Sequence, residues 1–154
     1  MKNQRATISI IGGHNATEET ARLAYAVGAM VARLGCVLVC GGLEGVMTAA
    51  AQGAREAGGL TIGILPGAGK EQANPYIEIA LPTTLGFSRN VIVAASADII
   101  IALPGSHGTL SEICYGLVYQ RPVIDLGGWG REGMIPAKDL QEAEQAARQI
   151  LNQR

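Results

Sequence analysis

Three times in this chain a short apolar run ends at a glycine-bearing turn and gives way to helix-forming sequence. The stretches are "ATISIIGG" (residues 6–13), "CVLVCGG" (36–42) and "ADIIIALPGSHG" (97–108). A run that is apolar at nearly every position, rather than at every second one, fits a strand buried on both faces of a sheet. Glycine at its end lets the backbone turn sharply into a helix or come close to a bound group. Strand, turn and helix in repetition dictate an open, mostly parallel sheet, because right-handed crossovers lay each helix on one face or the other.

The rest of the chain fits this rhythm. Leu23, Val27, Met30, Val31 and Leu34 recur at helical spacing, with Asn15 and Glu18 set as a capping box and Gly35 as the stop. Residues 41–59 form a Gly-opened, Ala-rich helix. "LTIGILP" (60–66) is a third strand ended by Pro66, and a loop through Pro75 leads to a short strand, "YIEIALP" (76–82). "GFSRNVIVAASA" (86–97) and "TLSEICYGLVYQ" (109–120) are helical, "PVIDL" (122–126) is a strand, and "GGWGREG" (127–133) is a loop. A polar helix runs from about Ala137 to the end. The expected fold is a single Rossmann-like, doubly wound α/β domain over residues 1–154, with helices on both faces.

Composition agrees and excludes several functions. The apolar mass is Ala, Val, Ile and Leu with 21 Gly, against a single Phe and a single Trp, which suits close-packed strands and helices. A net charge of −1 leaves no electrostatic footprint for nucleic acid or an anionic membrane. No apolar run reaches about 18 residues, and the amino terminus lacks a signal peptide's apolar core, so a cytoplasmic protein is expected. Cys36, Cys40 and Cys114 form no CxxC pair and are expected to be small buried hydrophobes. With only His14 and His107 besides, no metal site built from protein ligands is expected.

In such sheets ligands sit beyond the carboxyl ends of the strands, where strand order reverses. Gly12, Gly13 and His14, then Gly41, Gly42 and Gly45, then Gly105, Ser106, His107, Gly108 and Thr109 all fall at strand ends. These loops are expected to meet around one crevice. Each has a simpler reading. "CGGLEGVM" lacks the GxGxxG spacing, so its glycines serve either a tight turn or a ligand. "LPGAGK" (65–70) fails as a Walker A motif, since Ile64 stands where glycine is needed and Glu71 where Ser or Thr is needed. Arg89 and Asn90 follow a short strand, and arginine's planar fork suits phosphate or carboxylate. Thr109 with Glu112 makes a T-x-x-E capping box, which needs no ligand. The same glycines and the free amides of that helix start also suit an anion. His107 either reaches a ligand or lies exposed on its loop.

Together "GGLEGVM", "SRN" and "PGSHGTLSE" resemble, in order and spacing, the Lonely Guy-type Rossmann proteins once misannotated as lysine decarboxylases, whose hallmark is PGGxGTxxE. "AREAGGLTIGILPG", "ANPYIEIALPT" and "GFSRN" resemble the short branch that includes the molybdenum cofactor carrier proteins. This resemblance covers nearly the whole chain and implies two alternatives. A carrier would bind the molybdenum cofactor, a pterin with a terminal phosphate and a dithiolene that already holds the metal. Its partners would be molybdoenzymes or cofactor-synthesis proteins. A phosphoribohydrolase would cleave a cytokinin nucleoside monophosphate or AMP to free base and ribose 5-phosphate, with Arg89 and Glu112 as its catalytic pair. A sensor of nucleotide derivatives without turnover is a third class. A homo-oligomer, dimer or tetramer, is implied as well; the apolar segments "VIVAASA" and "ICYGLVYQ" fit a subunit interface and burial inside the monomer equally well. Two positions depart from the enzymes' pattern: Ser106 replaces the second hallmark glycine, and "GFSRN" lacks the lysine that follows the arginine.

Overall fold

A computed structural model describes residues 4–154, so the first three residues of the amino-terminal stretch, and of the expected domain, lie outside the described residues. Seven parallel strands form one sheet: β1 (Thr7–Ile11), β2 (Val37–Cys40), β3 (Thr61–Leu65), β4 (Ile79–Pro82), β5 (Ile99–Ala102), β6 (Val123–Asp125) and β7 (Ile135–Pro136). Their spatial order is β4-β3-β2-β1-β5-β6-β7. β1 lies between β2 and β5, with Ile8 opposite Leu38 on one side and Ile99 on the other. Chain order runs outward in both directions from β1, so the switch point falls between β1 and β5.

Alternation along β1 separates two cores. Ile8 and Ile10 face α1 (Glu18–Arg33), α2 (Val46–Glu56) and α5 (Leu140–Leu151), packing with Val27, Met30, Ala50 and Ala147. Ile11 faces α3 (Asn90–Ala95) and α4 (His107–Val118), with Val93 and Ile113. Ser9, wholly buried on that second face, donates its hydroxyl to Val93 O at 2.7 Å. The chain is a doubly wound, Rossmann-like α/β protein with helices on both faces, as the strand-and-helix rhythm required. The stripe Val27, Met30 and Val31 is fully buried. α1 and α2 touch backbone to backbone, because a Cβ on Gly28 would be driven into the Ala50 carbonyl and one on Gly53 into the Tyr25 carbonyl.

Several boundaries differ from expectation. Helix α1 is capped by Thr17, whose hydroxyl accepts from Thr20 N at 3.1 Å, not by Asn15 with Glu18. The loop before it is held away from helical geometry, since Gly13 N donates to Pro104 O and Gly13 O accepts from Val46 N. Residues 86–97 are not one helix but a 3₁₀ turn (Gly86–Arg89) running into six-residue α3. Short β7 precedes α5, which starts at Leu140 under an Asp139 cap rather than at Ala137. Cys36 and Cys40 are buried as expected, but Cys114 is exposed on the outer side of α4. No helix of the described residues is long and apolar enough to cross a membrane.

Candidate functional site

The carboxyl ends of β1, β2 and β5 open onto a cavity of about 180 Å³. Ile10 to His14 line it from β1 and its loop, and Gly41, Leu43 and Met47 from the β2–α2 connection. Phe87, Arg89 and Asn90 come from the 3₁₀ turn and the start of α3. Ser106 comes from the cap of α4, and Gly108, Thr109 and Glu112 from the helix itself. The three glycine-bearing strand ends therefore meet, as their positions predicted.

Gly42, Gly45, Gly105 and His107 stand outside the lining. Gly42, at φ 77°, turns the chain, and its carbonyl accepts from Asn74 N at 2.9 Å. Gly45 is the cap position of α2 at φ 66°, and a Cβ there would strike the carbonyls of Gly13 and His14. Gly105 packs against Thr109 and Gly13, leaving no room for a side chain. His107 is exposed, with Nδ1 3.4 Å from Ser106 Oγ. Gly12 touches the cavity, yet its lack of a side chain is required by Val46 on α2. Gly108 differs from all of these. The one atom within 4 Å of a Cβ there is Asn90 Nδ2, at 3.7 Å, so no packing demand explains the glycine.

The capping box does not form. Helix α4 begins at His107, two residues before Thr109, and its cap position, Ser106, makes no side-chain capping bond. The first bond of the helix is Leu110 N to Ser106 O at 3.0 Å. The amides of His107, Gly108 and Thr109 therefore have no intrahelical acceptor. Thr109 is buried, and Glu112, one turn later, is buried rather than reaching back to the helix start. The sequence pattern T-x-x-E is present, but the helix has already begun at His107, and Thr109 packs its hydroxyl against Gly105.

Arg89 is 6% exposed and is held from three sides. Its Nε donates to Ile64 O at 2.8 Å, Nη2 to Gly41 O at 3.4 Å, and Nη1 to Asn90 Oδ1. Asn90 in turn donates from Nδ2 to Ser111 Oγ at 3.1 Å and to Gly108 O at 3.4 Å. The arginine is thus fixed to the ends of β3 and β2, and through Asn90 to α4. Burial lowers the guanidinium's pKa and the Glu112 charge opposes that shift. Glu112 is 8% exposed. Burial pushes its carboxyl up to about 8, against the pull of Arg89. Cys40, at the end of β2, is pushed up to about 12 by burial and is inert as a nucleophile near neutral pH. Among the described residues no group of three or more His, Cys, Asp or Glu side chains is disposed to hold a metal ion.

Sequence reasoning missed Phe87, Leu43 and Met47, which carry no polar signal. It also missed Asp125 at the end of β6, whose carboxylate accepts from the amides of Gly127, Trp129 and Gly130 and folds the "GGWG" loop. Trp129 Nε1 then donates to Leu103 O at 3.0 Å, beside the β5 end.

A parallel sheet with a cavity at its switch point and an uncapped helix start facing that cavity defines a Rossmann-like α/β protein. The chain belongs to the SLOG cluster4 family, whose profile matches residues 5–153, and so to the Lonely Guy-like proteins its motifs resemble. It is 44% identical to an uncharacterized protein of Archaeoglobus fulgidus over 119 residues, 77% of this chain and 78% of that one. It is 33% identical to a cytokinin riboside 5'-monophosphate phosphoribohydrolase of Mycobacterium tuberculosis over 121 residues, 73% of this chain. That match spans 65% of the mycobacterial protein, just under two thirds of its length. Among solved structures, the molybdenum cofactor binding protein of Rippkaea orientalis superposes with a TM-score of 0.90 at 33% identity. The match covers 97% of this chain and 99% of that one. The molybdenum cofactor carrier protein of Chlamydomonas reinhardtii gives 0.87 at 30% identity, over 97% and 99%.

Proposed function

We propose that this protein is a molybdenum-cofactor-carrier-like binding protein, a single ligand-binding domain that holds a phosphorylated pterin at the β1/β5 switch point. One observation carries the reading. The start of α4 is uncapped and faces a cavity beside Gly108, where no side chain is excluded by packing. The amides of His107, Gly108 and Thr109 are donors without acceptors, the Thr109 hydroxyl stands beside them, and the helix dipole adds to them. A terminal phosphate fits there. Gly13, His14 and Ser106 border it, and the Ser106 hydroxyl adds a donor where the hallmark has glycine. Such a cargo brings its own metal ligands, so a site without a metal cluster suits it.

Arg89 and Glu112 also suit binding better than turnover. Stabilising positive charge on a ribose needs an ionised carboxylate, and burial shifts Glu112 toward its protonated form. Arg89 already spends three donors on protein acceptors, which fixes it as a positive wall of the cavity rather than a mobile clamp. The second reading, a nucleoside 5'-monophosphate phosphoribohydrolase, is favoured by the presence of both residues in one cavity with Thr109. The two readings separate in a single assay. Purified protein incubated with AMP or a cytokinin monophosphate releases no ribose 5-phosphate if it is a carrier. Release that disappears in Glu112→Ala, with a rate that rises as pH passes about 8, identifies the hydrolase.

A homo-oligomer, dimer or tetramer, belongs to the same proposal. Tyr115 and Val118 of α4, and Tyr119 at its carboxyl end, project into solvent, with Val118 72% exposed, whereas Val93 and Ala94 of α3 are buried. Sedimentation of the wild type against Val118→Asp tests the α4 face. A wild-type monomer overturns the assembly.

A further inference from the structure

Phe87 is the one phenylalanine of the chain, and it is 86% exposed while lining the cavity. An aromatic ring left in water at the mouth of a site whose floor is buried calls for an explanation. Loop disorder does not supply one, because the backbone around it is tied down. Gly86 N donates to Pro66 O at 3.0 Å, Ser88 N donates to Leu85 O at 3.2 Å, and Arg89 is locked to Ile64 O. The turn is entered through two left-handed positions, Thr84 at φ 63° and Gly86 at φ 59°. A threonine held at such an angle is an uncommon backbone state that the surrounding bonds maintain. The platform is rigid, and only the ring stands free.

Cavity size supplies the occupant. At about 180 Å³ the cavity is below the roughly 300–1,000 Å³ of sites that take a whole drug-sized ligand. The phosphate and its neighbouring atoms fill it, and the rest of the ligand must emerge at the mouth. We propose that Phe87 is a stacking platform for the planar heterocycle of that ligand, so that the site recognises a phosphate inside and an aromatic ring system outside. Resting on the phosphate cradle proposed above, this assigns selection between phosphorylated ligands to Phe87. Ring-on-ring contact discriminates a pterin or purine phosphate from a bare sugar phosphate without hydrogen bonds to the ring edge.

The test compares 6-hydroxymethylpterin phosphate with ribose 5-phosphate by equilibrium binding to wild type, Phe87→Ala, Phe87→Leu and Phe87→Trp. Phe87 packs in no core, so these variants fold. Stacking predicts roughly tenfold weaker pterin phosphate binding in Phe87→Ala and Phe87→Leu, retention in Phe87→Trp, and unchanged ribose 5-phosphate affinity in all three. Equal affinity of all forms for pterin phosphate overturns the stacking role and leaves the cradle standing. Equal weakening of both ligands also overturns it. Loss of self-association in Phe87→Ala with ligand affinity intact assigns the ring to a subunit contact instead. A wild type that binds neither ligand removes the cradle, and the stacking role with it.

Discussion

Gly108→Ala separates packing from ligand binding at one atom. Gly108 is the second residue of α4, at a negative φ, and the nearest atom to an added Cβ is Asn90 Nδ2 at ordinary contact distance, 3.7 Å. Folding therefore meets no clash. Replacing glycine by alanine in a helix gains about 0.5–1 kcal/mol through the unfolded chain's lost freedom. In a domain of this size that raises Tm by roughly 1–4 °C. The same methyl group takes up space beside the free amides, where the phosphate is proposed to sit, and affinity for ribose 5-phosphate should fall by about tenfold or more. Scanning calorimetry and isothermal titration on the same preparation check both halves. A variant more stable than wild type with unchanged affinity refutes the cradle, and a variant less stable than wild type refutes the open space beside Gly108.

Glu112 makes stability depend on pH. Below about 4.5 its carboxyl is protonated in both states; between there and about 8 only the unfolded chain gives up the proton, so stability falls as pH rises through that window. The loss amounts to a few kcal/mol, at about 1.4 kcal/mol for each pH unit that the window spans. Urea melts at pH 5, 7 and 9 should show it in wild type but not in Glu112→Gln. Arg89→Ala strands the carbonyls of Ile64 and Gly41 and should destabilise by about 2–4 kcal/mol, with Arg89→Lys recovering part, measured by the same melts. Gly28→Ala drives a methyl group into the Ala50 carbonyl across the α1–α2 contact and should destabilise by about 1–3 kcal/mol without altering the ligand affinity of the folded fraction.

Much of this was legible in the sequence where local pattern and tertiary role coincide. Unbroken apolar runs such as "IIIA" can be satisfied only between two helical layers, so the parallel sheet followed from them. The glycines at three strand ends marked the crevice because a strand's carboxyl end and the turn beyond it are adjacent in sequence. What failed depended on contacts far apart in the chain. T-x-x-E at Thr109 and Glu112 reads as a cap until the helix is seen to start at His107, with Thr109 packed on Gly105. Gly41, Gly42, Gly45 and Gly105 look alike in sequence. Two of their neighbours in space, Arg89 on Gly41 and Gly13 on Gly45, decide which glycines pack and which bend. Phe87 carries no signal at all, since one exposed aromatic residue is an ordinary surface feature until a cavity lies beneath it.

The most direct measurement is what the protein carries. Isolated under anaerobic, reducing conditions from cells that make molybdenum cofactor, it should hold a phosphorylated pterin. Released to an apo molybdoenzyme, that pterin should restore activity, and Gly108→Val should come out empty. Protein that emerges without pterin, cannot be loaded with it, and instead turns AMP into adenine and ribose 5-phosphate in a Glu112-dependent way would contradict the carrier account.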